Sequence, residues 1–186
     1  EPEPEPEPEP ESEPEPEPEP EIQYEPLTNY LIKKFVNQGS NYNSDSSYGP
    51  IESWNTSQVT DMSELFYFKR NFNENISNWD TSKVTTMRHM FSRANNFNQP
   101  LNDWDTSQVT DMNSMFYYAY NFNQPINDWD TSKVTDMNSM FYDADNFNQP
   151  INNWNTSQVT DMSKMFYYAE SFNQPLNDWD TSKVTD

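Results

Sequence analysis

The sequence predicts an α/β solenoid in which every coil contributes one short parallel strand and one short helix. Three observations predict it. From Ile51 the chain repeats with a period of 25 residues and no insertions, giving five complete units and the start of a sixth. Within each unit, apolar residues follow the spacing of one helical face, and a separate segment around a tryptophan alternates inward and outward side chains. One strand and one helix cannot close a core alone, so the units must stack and bury one another.

The elements follow in chain order. Residues 1–21 alternate Glu and Pro. Proline fixes φ and removes every second N–H while the glutamates repel, so a polyproline II stalk is expected, about 65 Å long at about 3.1 Å per residue. Residues 22–50 form a capping unit. Within it, 28–38 read as a short helix, with Thr28 or Asn29 as N-cap, Leu31, Ile32, Phe35 and Val36 as its apolar stripe, and Gly39 as its stop. A polar loop then leads to the repeats at 51–186.

In the third unit, Val109, Met112, Met115, Phe116, Ala119 and Phe122 are spaced as the inward stripe of a helix of two to three turns. Thr106 or Ser107 would cap it, Asp111 would sit in its first turn, and Pro125 would end the segment. Upstream, Leu101–Thr106 reads as the strand, with Trp104 and Thr106 facing in and Asp103 and Asp105 facing out. Stacking at about 4.8 Å per coil would then place each residue on its counterpart. The structural core would be the ladders Trp54, Trp79, Trp104, Trp129, Trp154, Trp179 and Phe66, Phe91, Phe116, Phe141, Phe166.

Composition bounds the partners. The net charge is −21, but eleven of the 31 acidic residues lie in the stalk. The remaining 165 residues hold 20 acidic and 10 basic side chains and many aromatics, enough for a core. Such a surface repels phosphate backbones, which argues against nucleic acid. There is no cysteine and no run of 18 apolar residues. The chain opens in low-complexity sequence and stops inside a repeat, so a mature or truncated piece is expected, with any targeting signal outside it.

The unit recurs in YGPIESWNTSQVTDMSELF at 48–66 and WDTSKVTDMNSMFYDADNFNQPIN at 129–152. A strand and a helix in a coil of this length match the leucine-rich-repeat class. These motifs resemble the BspA-like leucine-rich-repeat surface proteins, including the Mycoplasma-type 25-residue repeat domain, over residues 48–186. The resemblance implies a surface protein, in some members tied to adhesion, and supplies no catalytic residues.

Four patterns bear on function. Carboxylates flank the tryptophans at Asp103/Asp105, Asp128/Asp130 and Asp178/Asp180, with Asn or Ser in other units. They read as turn-closing and solubilising residues, as a partner surface, or as sites where Ca²⁺ relieves repulsion, although no known calcium-loop spacing is present. Gln58, Lys83, Gln108, Lys133, Gln158 and Lys183 alternate so that lysines never stack on lysines. Asn73, Asn98, Asn123, Asn148 and Asn173 should form a hydrogen-bonded ladder between coils. The pairs Tyr67/Phe68, Ser92/Arg93, Tyr117/Tyr118, Tyr142/Asp143 and Tyr167/Tyr168 should lie partly outside, either packing laterally or contacting a partner.

Catalysis has no footing. The lone His89 stands where other units carry Ser, Glu or Lys, the two glycines build no phosphate loop, and the paired aspartates recur in several coils rather than marking one site. The expected role is non-enzymatic, cofactor-free adhesion or recognition of a protein or glycan at a cell or particle surface, without membrane insertion by this segment. The alternative is an extracellular filament or coat subunit that self-associates by coil stacking.

Overall fold

A computed structural model describes residues 24–38 and 48–185. The stalk at 1–21, the expected stop at Gly39 and most of the polar loop lie outside the described residues. From Ile51 the chain is a regular stack of 25-residue coils, so the expected solenoid of superposed units is present.

Three aromatic ladders run through its centre. Phe91, Phe116 and Phe141 stack on one another at 5.5 and 5.6 Å, with rings within 6° of parallel. A second ladder places Phe122 at 6.0 Å from both Phe97 and Phe147. Trp129 and Trp154 lie 6.2 Å apart and 3° from parallel. Inside each coil the two phenylalanines touch, as at Phe116–Phe122, 3.9 Å. Offset stacking of this kind adds to the area each ring buries.

The strands and helices expected within the coils are not what the stack contains. Among the described residues the repeats hold no α-helix, and one short 3₁₀ turn at Ile51–Ser53 opens the array. Parallel pairing is one residue wide and runs Asp61, Thr86, Asp111, Asp136, Asp161. It therefore follows each tryptophan by seven residues and does not coincide with the 101–106 segment.

That segment is built from turns instead: Trp104 N donates to Leu101 O and Val109 N to Thr106 O. Its ties to neighbouring coils are made by side chains. The Trp104, Trp129 and Trp154 indoles donate to the carbonyls of Ile76, Leu101 and Ile126, and Thr106 Oγ1 donates to Asp130 O. Trp104 and Thr106 are buried and Asp103 and Asp105 exposed, so the expected facing holds without a strand.

The helix is replaced for a geometric reason. An α-helix with side chains is about 10–12 Å across, whereas successive coils repeat every 5.5 to 6.3 Å along the aromatic ladders. Helices in every coil would not fit. The chain from Met112 to Ala119 instead forms overlapping turns, in which Met115, Tyr117 and Ala119 donate to Met112, Ser114 and Phe116. The alternate N–H groups of Met112, Ser114, Phe116 and Tyr118 donate to the next coil's Asp136, Asn138, Met140 and Tyr142 carbonyls at 2.8–3.0 Å. Every N–H in this stretch but that of Asn113 is thus spent on a backbone carbonyl, three within the coil and four between coils. Asn113 N goes to the Asp111 carboxylate. The alternation requires a left-handed residue twice per coil, at Ser114 (φ 54°) and Tyr118 (φ 57°) in this one. Since there is no helix, Thr106 and Ser107 cap nothing.

The N-terminal helix is as expected. It spans Asn29–Asn37 (α1), with Thr28 Oγ1 accepting from Leu31 N at 3.3 Å and Ile32 and Val36 fully buried. It closes the first coil by imitation. In later coils each threonine N–H, such as that of Thr85, donates to the preceding coil's threonine carbonyl, here Thr60, at 2.9 Å. Thr60 has no preceding coil, and its N–H donates to Asn29 Oδ1 at 2.8 Å. Phe35 continues the ring stack, 6.0 Å from Trp54.

The asparagine ladder is present: Asn98, Asn123, Asn148 and Asn173 each donate a backbone N–H to the previous coil's side-chain carbonyl at 2.9–3.0 Å. A second ladder links Asn71, Asn96, Asn121 and Asn146 through their side chains. The Gln/Lys alternation also pairs as stacked neighbours, with Lys133 donating to Gln108 and Lys183 to Gln158, each at 2.8 Å.

Candidate interaction surface

The carboxylates beside the tryptophans divide into two groups. Asp105, Asp130 and Asp180 each accept the backbone N–H two residues on, at 2.9 Å, closing an Asx turn. Hydrogen bonds from Ser132 and Ser182 hold the Asp130 and Asp180 carboxyls below the ordinary range. These side chains complete the backbone. Asp103, Asp128 and Asp178 are exposed, and Asn102 donates to Asp128 at 2.8 Å. Among the described residues no three His, Cys, Asp or Glu side chains gather in a way that could hold a metal ion.

A second acidic row lies on the parallel bridges: Asp61, Asp111, Asp136 and Asp161, interrupted by Thr86. Lys33 of α1 meets its first member, 2.7 Å from Asp61. Burial pushes the Asp111 carboxyl above its ordinary range, helped by Asp136 one coil along. For a group raised on folding, the charged form opposes folding above the folded pKa, and the penalty vanishes below the unfolded value near 3.8. Asp111→Asn, which keeps an acceptor for Asn113 N, should therefore melt higher than the wild type at neutral pH. The advantage, a few tenths to about 1 kcal/mol for one partly exposed carboxylate, should disappear in melts run below that value.

The turn face carries a strip of outward side chains. Tyr117 lies 4.8 Å from Tyr142, and Tyr142 5.0 Å from Tyr167. Beside them runs the row Phe68, Arg93, Tyr118, Asp143, Tyr168, and next to that Arg70, Asn95, Tyr120, Asp145, Glu170. Ring contacts join the rows: Tyr117–Tyr118 at 4.6 Å and Tyr118–Tyr120 at 5.8 Å. Tyr67 to His89, at 6.1 Å, ties in a fourth row, Glu64, His89, Ser114, Ser139, Lys164.

Among the described residues, four of the five large apolar side chains left exposed lie here: Tyr67, Phe68, Tyr167 and Tyr168, at 42–59% of full exposure. Tyr117 and Tyr118 are half-buried, so the expected outward pairs differ in how far they emerge. Arg93 reaches across Phe68, Tyr117 and Tyr118 with its guanidinium 5.1, 5.6 and 4.3 Å from their centroids, a cation–π cluster. Burial raises the Asp143 carboxyl, with Asp145 and Glu170 adding repulsion.

Arg93 and Asp143 were among the outward pairs read from the sequence, but Glu64, Arg70, Asp145, Lys164 and Glu170 were not singled out. The signal was there: coils that agree at nearly every other place differ most along these rows.

Residues 33–131 and 100–186 match a family described as Mycoplasma protein of unknown function, DUF285. The chain belongs to that family. The matched stretches begin inside α1, so the family repeat and the cap run together. No curated protein and no solved structure matches the chain at a significant level.

Proposed function

We propose that the chain is a non-enzymatic recognition module of a cell or particle surface, and that its aromatic strip binds a protein partner. One observation carries this reading: the exposed rings and the differences between coils fall in the same place. A repeat that only needed to stack would have no reason to vary there, and singular contacts are what specific binding requires. The likeness of its motifs to BspA-like surface proteins supports the location.

Ring geometry favours protein over glycan. Tyr142 and Tyr167 are 26° from parallel and 5.0 Å apart, so they spend their faces on each other and offer edges and hydroxyls. Sugars stack on open ring faces, whereas edges and hydroxyls beside charged groups suit a protein surface. The test is a panel of immobilised proteins and glycans probed with the wild type and with Tyr167→Ser plus Tyr168→Ser. Protein binding weakened tenfold or more by the double change is the expected result. Binding to glycans alone, or binding indifferent to the change, would refute the reading.

A further inference from the structure

We infer that the strip is self-complementary and pairs two copies of this chain antiparallel, about a two-fold axis crossing the third coil. The inference rests on the strip being a protein-recognition surface and names its partner. When two such strips meet face to face with their coils running in opposite directions, the first coil of one copy faces the fifth of the other. The second then faces the fourth, and the third faces itself.

Reading the rows under that operation brings Glu64 opposite Lys164, Arg70 opposite Glu170 and Arg93 opposite Asp143. Each pair occurs twice by symmetry. Phe68 meets Tyr168, and Tyr67 meets Tyr167. Ser92, the single small residue of the tyrosine row, is buried in its own chain, so the facing Tyr142 meets no second bulky ring there. Asn95 faces Asp145, and the third-coil tyrosines meet their own copies on the axis. No two like charges face one another in these four rows.

The alternative side-by-side arrangement, with both chains running in the same direction, puts Arg93 on Arg93 and Asp143 on Asp143. Only the antiparallel pairing turns the uneven charge of the strip into attraction. Arg93 is already held over three rings of its own chain, so its guanidinium is placed before the partner arrives. The five coils that carry these pairs span about 20 Å at about 4.8 Å each, so the contact they make by themselves is small and is expected to associate at micromolar concentrations or above.

Sedimentation of the full chain from the micromolar range to about 1 mM tests this, with two charge-reversed variants: Arg70→Glu plus Arg93→Asp, and Asp143→Arg plus Glu170→Arg. The wild type should dimerise, and raised salt should loosen the dimer. Each variant alone faces like charges and should associate at least about tenfold more weakly. An equimolar mixture of the two should recover the dimer, since the reversed charges then match. Arg70→Glu and Glu170→Arg, both on exposed side chains, repeat the comparison if the Arg93 change disturbs the fold, as tryptophan fluorescence would reveal. A wild type that stays monomeric at every concentration, or variants that dimerise as well as it does, would overturn the pairing. The protein panel described above fails independently: it asks whether the strip binds other proteins, whatever the chain does with itself.

Discussion

Phe116→Ala should remove about 3–5 kcal/mol of stability, read as the midpoint shift in urea at constant slope. Phe116 is fully buried, stacked between Phe91 and Phe141 at 5.5 and 5.6 Å, against Phe122 at 3.9 Å, with Trp129 at 6.3 Å. Removing the ring breaks its own ladder and takes away the within-coil neighbour of Phe122. In a stack where each unit touches only its neighbours, the defect also weakens the coupling between the two sides. A broadened or two-step transition is therefore expected alongside the lower midpoint. Phe166→Ala is the control: Phe166 is only partly buried, so its loss should cost distinctly less. Equal losses at the two sites would mean that the ladder does not carry the stability.

Ser114 yields the second large effect, and its sign tests the backbone description. Ser114 sits at φ 54° and donates its N–H to Asn138 O at 2.8 Å. Proline there cannot adopt a positive φ and has no N–H, so Ser114→Pro should cost about 3 kcal/mol or more, from the orphaned carbonyl and the forced rearrangement together. Ser114→Gly should do the opposite. Glycine enters the left-handed region without steric cost, so the variant should be neutral or gain up to about 1 kcal/mol. In a helix the same glycine would lose roughly 0.5–1 kcal/mol. A glycine variant that melts lower than the wild type would contradict the turn stack.

That sign marks where sequence reasoning stopped. The period, the cap helix, the tryptophan and phenylalanine ladders and the Asn98–Asn123 type of ladder were all readable, because each depends on which residue recurs and how often. The local backbone was not readable. Val109, Met112, Met115, Phe116, Ala119 and Phe122 have helical spacing, yet the same spacing suits overlapping turns that put every third or fourth residue inward. What decides between them is the rise from coil to coil, a tertiary quantity that no single unit carries. The strand expected at 101–106 was wrong for a related reason. Trp104 and Thr106 alternate as a strand would, but their side chains, rather than their backbone, reach the neighbouring coils.

The candidate surface was legible in part. Tyr117, Tyr118, Tyr167 and Tyr168 lie on the outward strip, and Asp105, Asp130 and Asp180 close turns, one of the roles expected for them. Arg93 and Asp143 were named among the variable outward pairs, whereas Arg70, Asp145 and Glu170 in the adjoining row were missed because each occurs once there and no residue type recurs to mark the position.

The imitation of a coil by Asn29 bears on how such a chain can change length. A gain or loss of one whole 25-residue unit between the cap and any later coil leaves every rung with a counterpart. A single inserted codon would set each ring against the wrong neighbour from that point on. Unequal exchange between near-identical stretches of gene is thus a tolerated route to taller or shorter molecules, while small slips are purged. Under the pairing proposed above, one unit gained inside the strip would shift the centre of the charge pattern by half a step, so copies differing by one unit would match their charges less well than equal copies do.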